Sequence, residues 1–405
     1  MLINKIGLSL FGLFMDEKRK KNIVFLMSRF LDGGIDTVLV EYLRYLAKDE
    51  RYQITLAIAT YMDKLEVFRN RIPKNVKVIY FNRMKLLTRV PQKRITKQAG
   101  KITKLYGEMM NPILRRKTQH NIHKLAKTTD LFIDFDCCAY SFLKSVHTKK
   151  IAFFHFSFAQ SMAQNPKRMK RIRKQLEKYD SVITISKAMK DEGCKMFPEL
   201  KDKLFVIYNA KDQDCIRRYA DEKVADERIK EPYFLSIERL EESQKDITTL
   251  LKAYALLRKE KGVKEKLYII GKGNSEELLR QLAVDLDIDK DVEFLGFISN
   301  PYPWIKNSKL LLHSAKFEGL PTVLVEGLLL GKLMVSSDCP TGPKEIFNYG
   351  KAGVLVPVGD VRAFADATYQ LLTDSALQQQ ILQGVTERAF DFTFPAIDKK
   401  ISELL

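Results

Sequence analysis

The sequence predicts an α/β protein made of two doubly wound, parallel-sheet domains that face each other across a cleft. Three observations predict it. The chain has 405 residues, 45% of them apolar, which is long for one core and ample for two. Apolar runs of strand length alternate with amphipathic stretches of helix length along the whole chain, the pattern of parallel sheets covered on both faces. Charge breaks at the middle: residues 1–210 hold 42 Lys and Arg against 19 Asp and Glu, a net of +23, whereas residues 211–405 hold 27 against 31, a net of −4.

The first series of runs comprises Ile23 to Met27, Ile54 to Ala59, Val76 to Phe81, Leu131 to Phe135, Ile151 to Phe156, Val182 to Ile185 and Phe205 to Tyr208. The second comprises Tyr233 to Ile237, Leu267 to Ile270, Val292 to Leu295, Lys309 to His313, Lys332 to Ser336 and Gly353 to Val356. Between them lies a polar stretch ending in Pro232. The expected division is therefore a leader at 1–21, a basic first domain at 22–210, a linker at 211–232, a second domain at 233–390 and a terminal helix at 391–405 that returns to the first domain. In the leader, Ile6 to Met15 is apolar and is followed by Asp16, Glu17 and four basic residues. Ten residues are too few to span a bilayer, and the charge lies on the wrong side for a secretory signal, which leaves an interfacial helix or a disordered leader.

The composition also excludes several classes. Cys137, Cys138, Cys194, Cys215 and Cys339 form no C-x-x-C pair, so a reduced, cytoplasmic setting is expected and a zinc site is not. His120 and His123 share a helix spacing, but no Cys or carboxylate cluster accompanies them. The stretch from Phe81 to Thr128 carries 13 Lys and Arg and a single acid, Glu108, and a second basic run spans Lys167 to Lys174. Such a field calls for an anionic partner or a solvated face. No zinc-finger spacing or aromatic ladder supports nucleic acid, so an anionic membrane surface is the expected partner of the first domain.

Chemistry-bearing residues occur in both halves. Gly33 and Gly34 follow the first strand and open a helix, a place where positive φ and close backbone approach to an anion are available. The pattern is not G-x-G-x-x-G, and a plain strand-to-helix turn explains it equally well. In the second half, Glu318-Gly319-Leu320-Pro321-Thr322-Val323-Leu324-Val325-Glu326 sets two carboxylates eight residues apart around a proline suited to the first helical position. The Thr322 and Val323 amides are then free donors for a phosphate, flanked by two carboxylates able to bind hydroxyls. That combination suits a nucleotide sugar. Arg239 and Lys245 follow the strand Tyr233 to Ile237 and are placed either to neutralise a diphosphate or to pair with Glu238, Glu241 and Glu242 at the surface. Asp134-Phe135-Asp136 at a strand end is a D-x-D triplet, read as a divalent-ion pair, as solvated acids or as an acceptor contact.

These residues carry a resemblance. Arg239 and Lys245, the Gly271-Lys272-Gly273 turn, the E-x7-E segment from Glu318 to Glu326 and Thr341-Gly342-Pro343-Lys344-Glu345 are similar to the donor domain of glycosyltransferase family 4, in the GT-B superfamily. Gly33-Gly34 and His155 fit its first domain, so the resemblance covers nearly the whole chain from Lys21. It implies that Arg239 and Lys245 hold the diphosphate and Glu326 the ribose. Glu318 would hold the transferred sugar, with Gly271, Gly273, Gly319, Leu320, Thr322 and Val323 around the donor. Gly34 would approach the diphosphate, and His155 would line the reaction centre. The chain departs from the family at Glu238, where glycine is common, and at Gln244-Lys245-Asp246. The implied activity is retaining transfer of a hexose or N-acetylhexosamine from a nucleotide diphosphate sugar, a UDP-sugar first, to a lipid-linked, lipopolysaccharide or capsular glycan. It needs no metal and no cofactor. The competing readings are a nucleotide-sugar epimerase on the same scaffold and a binding protein without turnover.

Overall fold

The computed structural model describes residues 19–31, 33–95 and 100–405, so the apolar leader stretch lies outside the described residues. Seven strands form the first sheet: β1 (Lys21–Met27), β2 (Tyr52–Thr60), β3 (Lys77–Asn82), β4 (Leu131–Asp134), β5 (Lys149–Phe154), β6 (Ser181–Thr184) and β7 (Leu204–Val206). Six form the second: β8 (Tyr233–Ile237), β9 (Lys266–Ile270), β10 (Val292–Gly296), β11 (Leu310–His313), β12 (Met334–Ser337) and β13 (Val354–Val356). The orders are β3-β2-β1-β4-β5-β6-β7 and β10-β9-β8-β11-β12-β13, with every pairing parallel. Each order reverses direction beside its first strand. A crevice opens at that switch point, at the carboxyl ends of the strands, and parallel sheets bind ligands there.

Helices cover both faces of each sheet, which is why β1, β4 and β8 bury nearly every residue and read as continuous apolar runs. Inside the stretch expected as a linker, the chain forms a helix at Gln213–Ala220 and a 3-10 turn at Glu227–Lys230. The first of these is capped by the Asp212 carboxylate on the Cys215 amide. The terminal helix Phe394–Leu404 packs on the first domain. Phe394 stacks on Tyr45 at 4.3 Å and meets Tyr42 edge-on at 5.7 Å, so the last residues of the chain complete the first core. Among the described residues, no helix is long and apolar enough to cross a membrane.

Candidate active site

The site begins where β8 and β9 end. Gly271 sits at φ +147°, and a Cβ there would meet the Glu238 carbonyl oxygen at 1.8 Å; a Cβ on Gly273 would meet the Leu240 oxygen at 2.0 Å. The glycine turn is thus packed flat under the loop that carries Arg239, an arrangement any side chain would break. Leu240 N–H donates to Lys272 O, and Ser275 N–H to Leu240 O, closing the two loops together. Arg239 itself stands exposed and makes no side-chain hydrogen bond or ion pair among the described residues.

Beneath it lies a buried ionic cluster. The Lys245 ammonium pairs with Glu318 Oε1 and lies 4.0 Å from Glu238 Oε2. His313 at the end of β11 places Nε2 3.5 Å from Glu318 Oε1, while its Nδ1 meets Ser336 Oγ at 2.9 Å. Burial pushes the Glu318 carboxyl up, but Lys245 and His313 override it and bring its pKa down to about 2. Burial alone would likewise depress Lys245; Glu318 and Glu238 more than offset that and hold it above the ordinary lysine range. Glu238, fully buried where the family pattern has glycine, goes the other way. Burial raises it, with only partial relief from His313 and Lys245, and its Oε1 accepts from the Ser314 amide at 3.0 Å.

The loop Glu318 to Pro321 is fastened to the next loop over. Glu318 N–H donates to Pro340 O at 2.7 Å, and the Thr341 hydroxyl donates to Glu318 O and Gly319 O, both at 2.9 Å. Pro321 is the N-cap of the helix Thr322–Leu329, one position earlier than the first-turn place expected of it, because the Leu324 amide turns back onto its carbonyl. Among the described residues, the amides of Gly319, Leu320, Thr322 and Val323 donate to no backbone carbonyl, so the helix head offers donors to an anion. Glu326 lies further along the same helix, where Oε1 accepts from Lys211 Nζ at 3.0 Å.

The first domain reaches this loop through His155. A Cβ on Gly319 would stand 2.3 Å from the His155 carbonyl oxygen, so the glycine is what lets the two domains meet here. The His155 ring partners Phe135 O at 2.8 Å through Nε2, which must therefore carry the proton, and its buried Nδ1 has no hydrogen-bond partner among the described residues. Burial lowers its pKa to about 4, the Phe135 bond opposing only in part, so the ring is neutral near pH 7 and presents a lone pair.

Gly33 and Gly34 serve differently from the expectation of positive φ. Gly33 caps the helix Gly34–Leu46 at φ −87°, and Gly34 is its first residue. Among the described residues, no atom lies within 4 Å of a Cβ on Gly34, so what the position supplies is room at the helix head. Sequence reading missed Asp36, whose carboxylate takes the amides of Leu31 and Gly33 and shapes that loop.

Asp134 and Asp136 correct the reading of solvated acids at a strand end. Asp134 is fully buried, and the turn after β4 folds back so that the Cys138 and Ala139 amides and the Tyr179 hydroxyl all donate to it. Asp136 receives the Ser28 amide and hydroxyl. Both carboxylates fasten loops. A further contact was not legible: Glu345 crosses between domains to accept from the Lys187 and Ala188 amides, at 2.8 and 3.1 Å, and from the Tyr208 hydroxyl at 2.6 Å. It caps a first-domain helix from the second domain.

Residues 218–388 match the family model described as glycosyl transferases group 1. Among curated proteins, the chain is 29% identical over 215 residues to N-acetylgalactosamine-N,N'-diacetylbacillosaminyl-diphospho-undecaprenol 4-alpha-N-acetylgalactosaminyltransferase of Campylobacter jejuni, covering 53% of this chain and 57% of that one. It is 31% identical over 174 residues to lipopolysaccharide 1,6-galactosyltransferase of Salmonella typhimurium, covering 42% and 47%. The chain thus spans about half the length of these curated relatives. Among solved structures, HepE of Anabaena in complex with UDP and glucose is similar with a TM-score of 0.72 at 18% identity, covering 94% of this chain and 98% of that one. The apo lipopolysaccharide outer core galactosyltransferase WaaB is similar at 0.65 and 19%, covering 95% and 98%. At such identities the likeness shows the fold, and the fold is GT-B.

Proposed function

We propose that this chain, whose second domain belongs to the glycosyl transferases group 1 family, transfers a hexose or N-acetylhexosamine from a nucleotide diphosphate sugar to a lipid-linked or lipopolysaccharide glycan, with retention and without a metal. The observation that carries the reading is the buried Lys245–Glu318 pair set beside the free amides at the head of the helix Thr322–Leu329. An arriving diphosphate takes the Lys245 ammonium, Arg239 and those amides. Negative charge on the leaving diphosphate grows as the glycosidic bond breaks, and donors already aimed at it stabilise the transition state more than the ground state. Freed from Lys245, the Glu318 carboxylate accepts hydroxyls of the transferred sugar, and the Nδ1 lone pair of His155 accepts another from the opposite wall.

UDP is the nucleotide we favour, supported by the Anabaena neighbour whose structure holds UDP and glucose. Two curated relatives are named for undecaprenol-linked and lipopolysaccharide acceptors, which supports an acceptor of that class. Docking on an anionic membrane surface fits such an acceptor. The helix Lys101–Ala126 leaves Ile102, Leu105, Met109 and Ile113 exposed at spacings of three and four, an apolar stripe within the basic stretch of the first domain.

The test is a donor screen with UDP-, GDP- and ADP-sugars, with and without EDTA, on the wild type and on Lys245→Ala. Turnover that persists in EDTA and is lost in Lys245→Ala supports the proposal. Activity abolished by EDTA and restored by Mn2+ overturns metal independence. Conversion of the donor to an isomeric nucleotide sugar without an acceptor identifies an epimerase instead.

A further inference from the structure

The chain passes between its domains twice, and Lys211 stands where the two passages meet. Its backbone N–H donates to Phe392 O at 2.9 Å, and it forms a parallel bridge with Thr393. From this anchor the side chain, 1% exposed, runs to Glu326 and donates to Oε1 at 3.0 Å, while the Glu326 side chain keeps 11% exposure. Burial alone would lower the pKa of such a lysine; Glu326 first, then Tyr302 and Glu41, more than reverse this and hold it above the ordinary lysine range. Glu41 belongs to the first-domain helix Gly34–Leu46, and its Oε2 has no hydrogen-bond partner among the described residues. Glu326 of the second domain thus holds the ammonium directly, and Glu41 of the first domain, whose Oε1 also lies 3.8 Å from Arg44 Nη1, adds its charge to the field at the crossing.

We propose that Lys211 is a positioning residue for donor binding: it holds one oxygen of Glu326 so that the other meets the ribose hydroxyls, and it ties that contact to the crossing between the domains. The inference rests on Glu326 being the ribose ligand. A carboxylate offers about four lone-pair directions, and a single ammonium that occupies one of them selects the rotamer in which the rest face the nucleotide. Lys211 itself touches no donor atom in this arrangement.

The experiment is calorimetric titration of wild type, Lys211→Met, Glu326→Gln and the double variant. The probes are whichever of UDP, GDP and ADP binds the wild type most tightly, its ribose-dideoxy analogue, and inorganic pyrophosphate. Lys211→Met is expected to weaken the nucleotide roughly ten- to hundredfold and to erase its preference over the dideoxy analogue, with pyrophosphate binding unchanged. Glu326→Gln should do the same, and the double variant should be no weaker than Glu326→Gln alone. If Lys211→Met does not fold, the double variant against Glu326→Gln decides: equal affinities support the proposal, and a further loss overturns it. Retained ribose preference in Lys211→Met alone overturns the positioning role. A loss of pyrophosphate binding in Lys211→Met shows a merely structural lysine and overturns it as well. Retained preference in Glu326→Gln removes the ribose reading itself, and the proposal with it.

Discussion

The two domains bury carboxylates in opposite ways. In the second, Glu318 is answered by Lys245 and His313 and is held down to about 2. In the first, Asp134 is answered by two amides and a phenol, and burial together with the nearby Asp136 raises it to about 7. An ion pair can be exchanged for a charged ligand, because the cation it releases is already in place and desolvated. Carboxylates bound to amides cannot be exchanged without undoing the loop they hold. The difference separates a site from a fastening, although both contain two acids close in sequence.

The largest expected effect tests this separation directly. Lys245→Ala and Glu318→Ala should each lower turnover roughly 10²- to 10³-fold, whereas Asp134→Asn should leave turnover in the folded protein near wild type. A loss in Asp134→Asn matching that in Glu318→Ala, measured on the same donor, would break the comparison.

Within the second domain, Glu326→Ala should act mainly on donor KM, by about tenfold, since a ribose contact is present in ground and transition states alike. Glu318→Ala should act mainly on kcat. Steady-state kinetics over donor concentration distinguish the two, and equal shifts in both parameters would merge the roles assigned to the two acids.

The pH dependence of stability should differ in sign. Glu318 has a depressed folded pKa, so its contribution is present above the unfolded value near 4.5 and is lost as pH falls toward about 2. Asp134 has a raised one, so its contribution is present below about 4 and is lost as pH rises through about 7. Urea unfolding from pH 4 to 8 should show the stability of wild type relative to Asp134→Asn falling with pH. Relative to Glu318→Gln it should stay level above about pH 6 and begin to fall as pH drops below about 5.

The smallest effect concerns the first domain's surface. Replacing Ile102, Leu105 and Met109 by Ser should weaken co-sedimentation with anionic vesicles several-fold, a loss on the order of 1 kcal/mol, while donor hydrolysis in solution is unchanged. Wild-type protein that fails to sediment with anionic vesicles at low salt would return the basic face to solvent or to another partner.

Much of this was legible in sequence because it is local. All thirteen strands among the described residues can be read from apolar runs, since strands covered on both faces are largely apolar. Glu318, Thr322, Val323 and Glu326 announce themselves together because one loop and one helix turn carry them, and Arg239 and Lys245 follow a single strand. What stayed hidden depends on residues far apart in the chain. Nothing near Glu238 says that its carboxylate accepts from the Ser314 amide, 76 residues on, and nothing near Gly34 says that it supplies space at the helix head rather than a positive φ.

The sequence by itself determined two parallel-sheet domains, a basic half and a near-neutral half, and one donor-type motif, because periodicity, charge and a short motif are properties of neighbouring residues. The strand orders, the meeting of Gly319 with His155, the capping of a first-domain helix by Glu345 and the pairing of Lys211 with Glu326 were decided by tertiary structure alone. Each joins groups separated by a hundred residues or more, or fixes which strand lies beside which. Burial makes such contacts obligatory: a charge or an amide taken out of water needs a partner, and only the folded chain determines which residue that partner is.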